Sequence, residues 1–89
     1  STQMNMNKIN VFTKNGCGRC EFTIKYLQEN NIPYVELNTS MHQPNNDLMW
    51  EQLEKTDHNS KSVQLPVIVQ NGRVYQNIES LPALLKSFK

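Results

Sequence analysis

Val11-Phe12-Thr13-Lys14-Asn15-Gly16-Cys17-Gly18-Arg19-Cys20 is the stretch on which the fold turns. Its first half reads as the end of a short buried strand over residues 8–13, with Ile9, Val11 and Phe12 apolar. Asn15-Gly16 breaks that strand. From Gly18 to about Asn30 the apolar spacing becomes helical, with Cys20, Ile24 and Leu27 on one face and Phe22 and Tyr26 as a second i, i+4 pair. Asn30-Asn31 ends the helix, and Pro33 prevents its continuation. Tyr34, Val35 and Leu37 supply a second strand. Strand, helix and strand at this spacing form a βαβ unit, so the first two strands are expected to be parallel.

Beyond this unit, Pro44 suits the first turn of a helix that ends near Lys55 or Thr56, with Leu48, Met49, Trp50 and Leu53 as core positions. A polar loop over residues 57–62 follows, then Leu65-Pro66 and the apolar run Val67-Ile68-Val69. Asn71-Gly72 is a strong two-residue hairpin signal, because both residues accept positive φ. Val74 and Tyr75 form the return strand. The last helix is expected from Glu79 or Ser80, with Pro82 in its first turn and Leu81, Leu84, Leu85 and Phe88 facing inward. The order is β-α-β-α-β-β-α, an α/β class domain whose four-stranded mixed sheet is flanked by three helices.

The chain has 89 residues, enough for one domain over 1–89, with polar residues 1–7 expected to be flexible. Met4 and Met6 are both candidates for the natural start. The net charge of +1 and pI near 7.8 point to neither nucleic acid nor an anionic membrane as partner. No apolar run approaches the ~18 residues of a membrane span, and no apolar leader precedes the first strand. A cytoplasmic monomer is the expectation. Asn38-Thr39-Ser40 matches a glycosylation sequon and is read as chance.

The chemistry lies in Cys17-Gly18-Arg19-Cys20. A bond between these cysteines closes a very short loop, so stapling an unfolded chain is a poor explanation for them. A pair at this spacing is redox-active or binds metal. Its position at a strand-to-helix junction favours redox work: helix N-terminal N–H groups and the positive end of the dipole favour thiolate. Three-residue spacing brings the two sulfurs within reach of a disulfide. Cys17 is expected to be the exposed nucleophile and Cys20 the shielded resolving thiol. Arg19 opposes the macrodipole in the first helical turn, and a local rule broken beside a nucleophile often marks function. Its charge, and that of Lys14, would stabilise the Cys17 thiolate or an anionic substrate. His42 and His58 lack metal-ligand spacing, so no metal site is expected.

These features together resemble the glutaredoxin family from about Lys8 to Phe88. The strand, Lys14 and Cys17-Gly18-Arg19-Cys20 are similar to the family's strand–Lys–x–x–Cys–x–x–Cys signature. Gln64-Leu65-Pro66 sits where the family carries a Thr-Val-Pro segment with a cis proline. Residues 81–87 resemble its closing helix. The resemblance implies a thioredoxin-like fold and an enzyme, a thiol–disulfide oxidoreductase of cell redox homeostasis and electron transport. It implies that Cys17 attacks protein disulfides or glutathione mixed disulfides and Cys20 resolves the intermediate. It places cis-Pro66 against the pair, gives the Leu65 backbone to a bound substrate chain, and gives Lys14 to the carboxylate of glutathione. No tightly bound cofactor is implied. Glutathione is a co-substrate, and glutathione or thioredoxin reductase is the reductant.

Two departures bear on specificity. Gly18-Arg19 stands where many relatives have Pro-Tyr. Gln76, Asn77 and Ser80 stand where the family uses Gly-Gly and an acidic residue to hold the γ-glutamyl end of glutathione. Gln76, Asn77 and Ser80 are therefore the candidate ligand contacts of that turn, and weakened glutathione binding is expected. A donor to ribonucleotide reductase reduced by thioredoxin reductase is the nearest alternative. An iron–sulfur carrier, suggested by the small Gly18, is the more distant one.

Overall fold

Strand β1, Ile9–Thr13, is buried along its whole length. That burial requires cover on both faces, and the rest of the chain supplies it. The computed structural model describes residues 4–57 and 61–89. After β1 come α1 (Gly18–Glu29), β2 (Tyr34–Asn38), α2 (Gln43–Glu54), β3 (Val67–Gln70), β4 (Arg73–Tyr75) and α3 (Leu81–Ser87). The sheet order is β2-β1-β3-β4, which makes β1 and β3 the inner strands. β1 pairs parallel with β2, Val11 opposite Glu36, and antiparallel with β3, Val11 opposite Ile68. This is the mixed four-stranded, three-helix sheet of a thioredoxin-like fold.

Side chains alternate across the sheet and divide the core in two. On one face Ile9, Val11 and Ile68 pack with Leu27 of α1 and Leu81 and Leu85 of α3. On the other, Phe12, Val67 and Val69 pack with Leu37 and with Met49 and Leu53 of α2. Leu48 and Trp50 lean on this second cluster while partly exposed. Cys17, Cys20 and Leu65 belong to the same second cluster, so the thiol pair is part of the α2-side core.

The element ends follow local chemistry. Asn31 takes φ +54, Ile32 N–H donates to Leu27 O at 2.9 Å and Asn31 N–H to Gln28 O at 3.2 Å. This is a Schellman ending with asparagine in the left-handed position. Asn71 and Gly72 have φ +49 and +80, as a two-residue type I′ hairpin demands. β1 starts at Ile9 rather than Lys8, and α3 starts at Leu81 with Ser80 as its N-cap. Asn10 is a polar residue buried in a central strand. Its amide is satisfied by Asn5 O, Lys8 O and Val69 O, and it accepts from Asn5 N–H. The sequence places Cys20, Ile24 and Leu27 on the inner face of α1; the structure buries Cys20, Thr23 and Leu27 and leaves Ile24 half-buried, with the Thr23 hydroxyl donating to Arg19 O at 2.8 Å. His58 lies outside the described residues.

Candidate active site

The loop over residues 14–16 delivers the chain from β1 to α1. Gly16 has φ +66, a conformation that a Cβ would strain. The loop is fastened by the end of β2 and the turn that follows it. Asn15 N–H donates to Ser40 Oγ at 3.0 Å, and Asn38 Nδ2 donates to Asn15 Oδ1 at 3.0 Å. Thr39 donates twice to Thr13 O, from its N–H and its hydroxyl. The Asn38-Thr39-Ser40 turn, read from the sequence as a chance sequon, thus holds the loop that precedes the cysteines.

Cys17 is the N-cap of α1, and its Sγ accepts the Cys20 N–H at 3.2 Å. A sulfur therefore sits where serine or aspartate usually satisfies the first-turn N–H groups. Cys17 and Cys20 are joined as a disulfide, with Cα atoms 5.2 Å apart. The expectation of an exposed Cys17 needs correction: it is 7% exposed and Cys20 3%. The order of accessibility is as expected, but the pair packs into the core cluster with Leu65, and that packing covers both sulfurs.

The Leu65–Pro66 peptide bond is cis. The Leu65 carbonyl oxygen lies 3.9 Å from Cys17 Sγ. This oxygen opposes negative charge on the sulfur, whereas the Cys20 N–H supports it from a shorter distance and along the helix dipole. Burial of the pair also opposes charge on the sulfur, and the Cys20 N–H is the nearer of the two polar groups.

Arg19 points across the molecule. Its Nη2 donates to Ile78 O at 2.7 Å, joining α1 to the turn between β4 and α3, while its Nε is buried without a partner among the described residues. Lys14 is exposed and makes no hydrogen bond or ion pair among the described residues. It lines a groove of about 530 Å³ between α1 and β2, together with Gly16, Cys20, Glu21, Lys25 and Glu36. Gln76 Nε2 donates to Thr56 Oγ1 at 2.9 Å, beyond the C-terminal end of α2. Asn77 has φ +47, and its Oδ1 accepts the Gln64 N–H at 3.3 Å. Ser80 caps α3 without a side-chain hydrogen bond. The structure thus brings Cys17, Cys20 and Leu65 together, turns Arg19, Gln76 and Asn77 onto neighbouring segments, and leaves Lys14 and Ser80 exposed. Sequence reasoning missed Gln64, Thr56 and Ile78, whose parts are backbone groups or long-range bonds. No spacing rule reports those. Among the described residues no group of three or more His, Cys, Asp or Glu is placed to hold a metal, and no helix is long and apolar enough to cross a membrane.

A disulfide at a helix N-terminus, beside a cis-proline segment on this sheet, defines the class of thioredoxin-fold dithiol proteins. The family profile of glutaredoxin matches residues 9–75, and the chain belongs to that family. Comparison with curated proteins found no match, and comparison with solved structures found none. The family and the Cys17–Cys20 disulfide fit a thiol–disulfide oxidoreductase.

Proposed function

We propose that this chain reduces protein disulfides by dithiol exchange, with Cys17 as nucleophile and Cys20 as resolving thiol. The observation that carries the reading is Cys17 at the N-cap of α1, its sulfur receiving the Cys20 N–H and bonded to Cys20. The Cys17 thiolate attacks one sulfur of a substrate disulfide. A mixed disulfide forms, and the other substrate sulfur leaves as thiolate and takes a proton from solvent. The Cys20 thiolate then attacks Cys17 Sγ, which forms the Cys17–Cys20 disulfide and releases the second substrate thiol. Two electrons pass to the substrate. A thiol reductant, glutathione or the dithiol of thioredoxin reductase, returns them by the reverse exchange.

Protein disulfides are favoured over glutathione mixed disulfides because the turn after β4 is used internally. Gln76 and Asn77 are bonded to Thr56 and Gln64. Ser80 offers a neutral hydroxyl where a carboxylate would pair with the ligand's ammonium. Losing one charge-assisted hydrogen bond of that kind costs roughly 1.5–3 kcal/mol, or about one to two decades in affinity.

Turnover of an oxidised protein and of a glutathione mixed disulfide, each supplied in turn by glutathione with its reductase and by thioredoxin reductase, tests the reading. The expected result is faster turnover of the protein disulfide. Cys17→Ser should abolish it, and Cys20→Ser should trap a mixed disulfide on Cys17. Activity that survives Cys17→Ser, or a trapped adduct on Cys20, overturns the assignment.

A further inference from the structure

Three consecutive residues after β4 fasten three different parts of the molecule. Gln76 is bonded to Thr56 beyond α2, Asn77 to the Gln64 N–H, and the Ile78 carbonyl to Arg19 of the Cys17-Gly18-Arg19-Cys20 turn. Costs collect at the same place. Asn77 is held in the left-handed region at φ +47. Gln76 Oε1 and Arg19 Nε are buried without partners among the described residues, and a buried polar atom left unpaired is unfavourable by roughly 1–3 kcal/mol. Such costs persist where the surroundings over-determine a geometry, and they gather at functional sites.

We infer that Asn77 is a positioning residue for substrate docking: its carboxamide holds the Gln64–Leu65 segment where the Leu65 backbone can meet a substrate chain attached to Cys17. The inference rests on the dithiol-exchange reading and gives the segment before cis-Pro66 a specific support. With the Gln64 N–H held by Asn77, the next residue turns its carbonyl toward Cys17, 3.9 Å from Sγ. Leu65 directly follows Gln64, at a bend ahead of β3, so anchoring the Gln64 amide restricts the backbone that carries the Leu65 carbonyl. Asparagine suits both tasks. It tolerates positive φ better than other side chains, and it carries an acceptor that glycine lacks. A small ligand held mainly by its sulfur depends little on this segment. A peptide that adds along the Leu65 backbone depends on it directly.

Asn77→Gly separates the two tasks, because glycine keeps the left-handed backbone at no steric cost and removes only the carboxamide. Asn77→Asp restores an acceptor oxygen. The probes are a linear peptide with one cysteine in disulfide linkage to 2-nitro-5-thiobenzoate, and bis(2-hydroxyethyl) disulfide, both with dithiothreitol as reductant. The expected result for Asn77→Gly is a KM for the peptide raised about 2- to 10-fold, in line with one exposed or half-exposed hydrogen bond. The rise should exceed any change with the small disulfide, and Asn77→Asp should recover most of it. Hydrogen exchange at the Gln64 amide should quicken in Asn77→Gly and slow again in Asn77→Asp. An equal rise for both disulfides, no rise, or no recovery in Asn77→Asp overturns the inference. If the unaltered protein turns over neither disulfide, the dithiol-exchange reading fails, and the docking inference falls with it.

Discussion

At the scale of single residues, the site depends on one sulfur in an N-cap position. A thiolate there accepts the Cys20 N–H and lies at the positive end of α1. Alkylation rate against pH should therefore show Cys17 titrating below the ~8.5 of a free thiol. Arg19 adds positive charge within the same turn, although its Nη2 is drawn toward Ile78 O. Arg19→Gln should move the inflection upward and loosen the turn that precedes α3. An unchanged inflection in Arg19→Gln would assign the whole effect to helix amides. Gly16 and Gly18 flank Cys17 and have different tasks. Gly16 is needed for its φ of +66, whereas nothing lies within 4 Å of a Cβ built on Gly18.

At the scale of the helix, the two glycines tolerate different replacements. Gly18 is the first residue of α1, where proline lacks an N–H that the helix does not use. Cys17 before it has φ −112 and ψ 103, the extended conformation that a residue preceding proline prefers. Gly18→Pro should stabilise the protein by about 0.4–1 kcal/mol through the unfolded chain. A rise of several degrees in Tm, at about 4–8 °C per kcal/mol for a domain of this size, is the readout. Gly16→Ala should lower Tm, because alanine at positive φ costs about 1–2 kcal/mol. A stabilised Gly16→Ala protein or a destabilised Gly18→Pro protein would contradict this account of the junction.

At the scale of the whole molecule, the two cores differ in what they support. Leu53 belongs to the α2-side cluster that contains Cys17, Cys20 and Leu65, whereas Leu85 belongs to the α1–α3 side. Both are buried, and either change to alanine should cost about 2–5 kcal/mol. Against a total stability of roughly 5–15 kcal/mol, the urea midpoint should fall clearly in both. Only Leu53→Ala also loosens the packing around the disulfide. Reduced Leu53→Ala should therefore alkylate at Cys17 faster than reduced Leu85→Ala under conditions where both remain folded. Equal rates in the two variants would show that the site does not depend on the α2-side core.

Much of this molecule is written in local pattern. The element order, the parallel first pair of strands, the Asn71-Gly72 hairpin and the cysteine pair at the start of α1 all follow from periodicity, turn chemistry and spacing. These act over a few residues, so the chain order of amino acids determines them directly. The cis state of Leu65–Pro66 was legible only through family resemblance, since the residues alone favour trans. Tertiary structure decided the rest. It buried Cys17, placed Asn10 and Thr23 in the core by satisfying their polar groups, and gave Asn38 and Ser40 the task of holding the loop before Cys17. It also joined Gln76, Asn77 and Ile78 to Thr56, Gln64 and Arg19. Those bonds link residues distant in the chain, often through backbone atoms that every residue carries. No local composition encodes such partners, because they exist only once the sheet has set the distances between them.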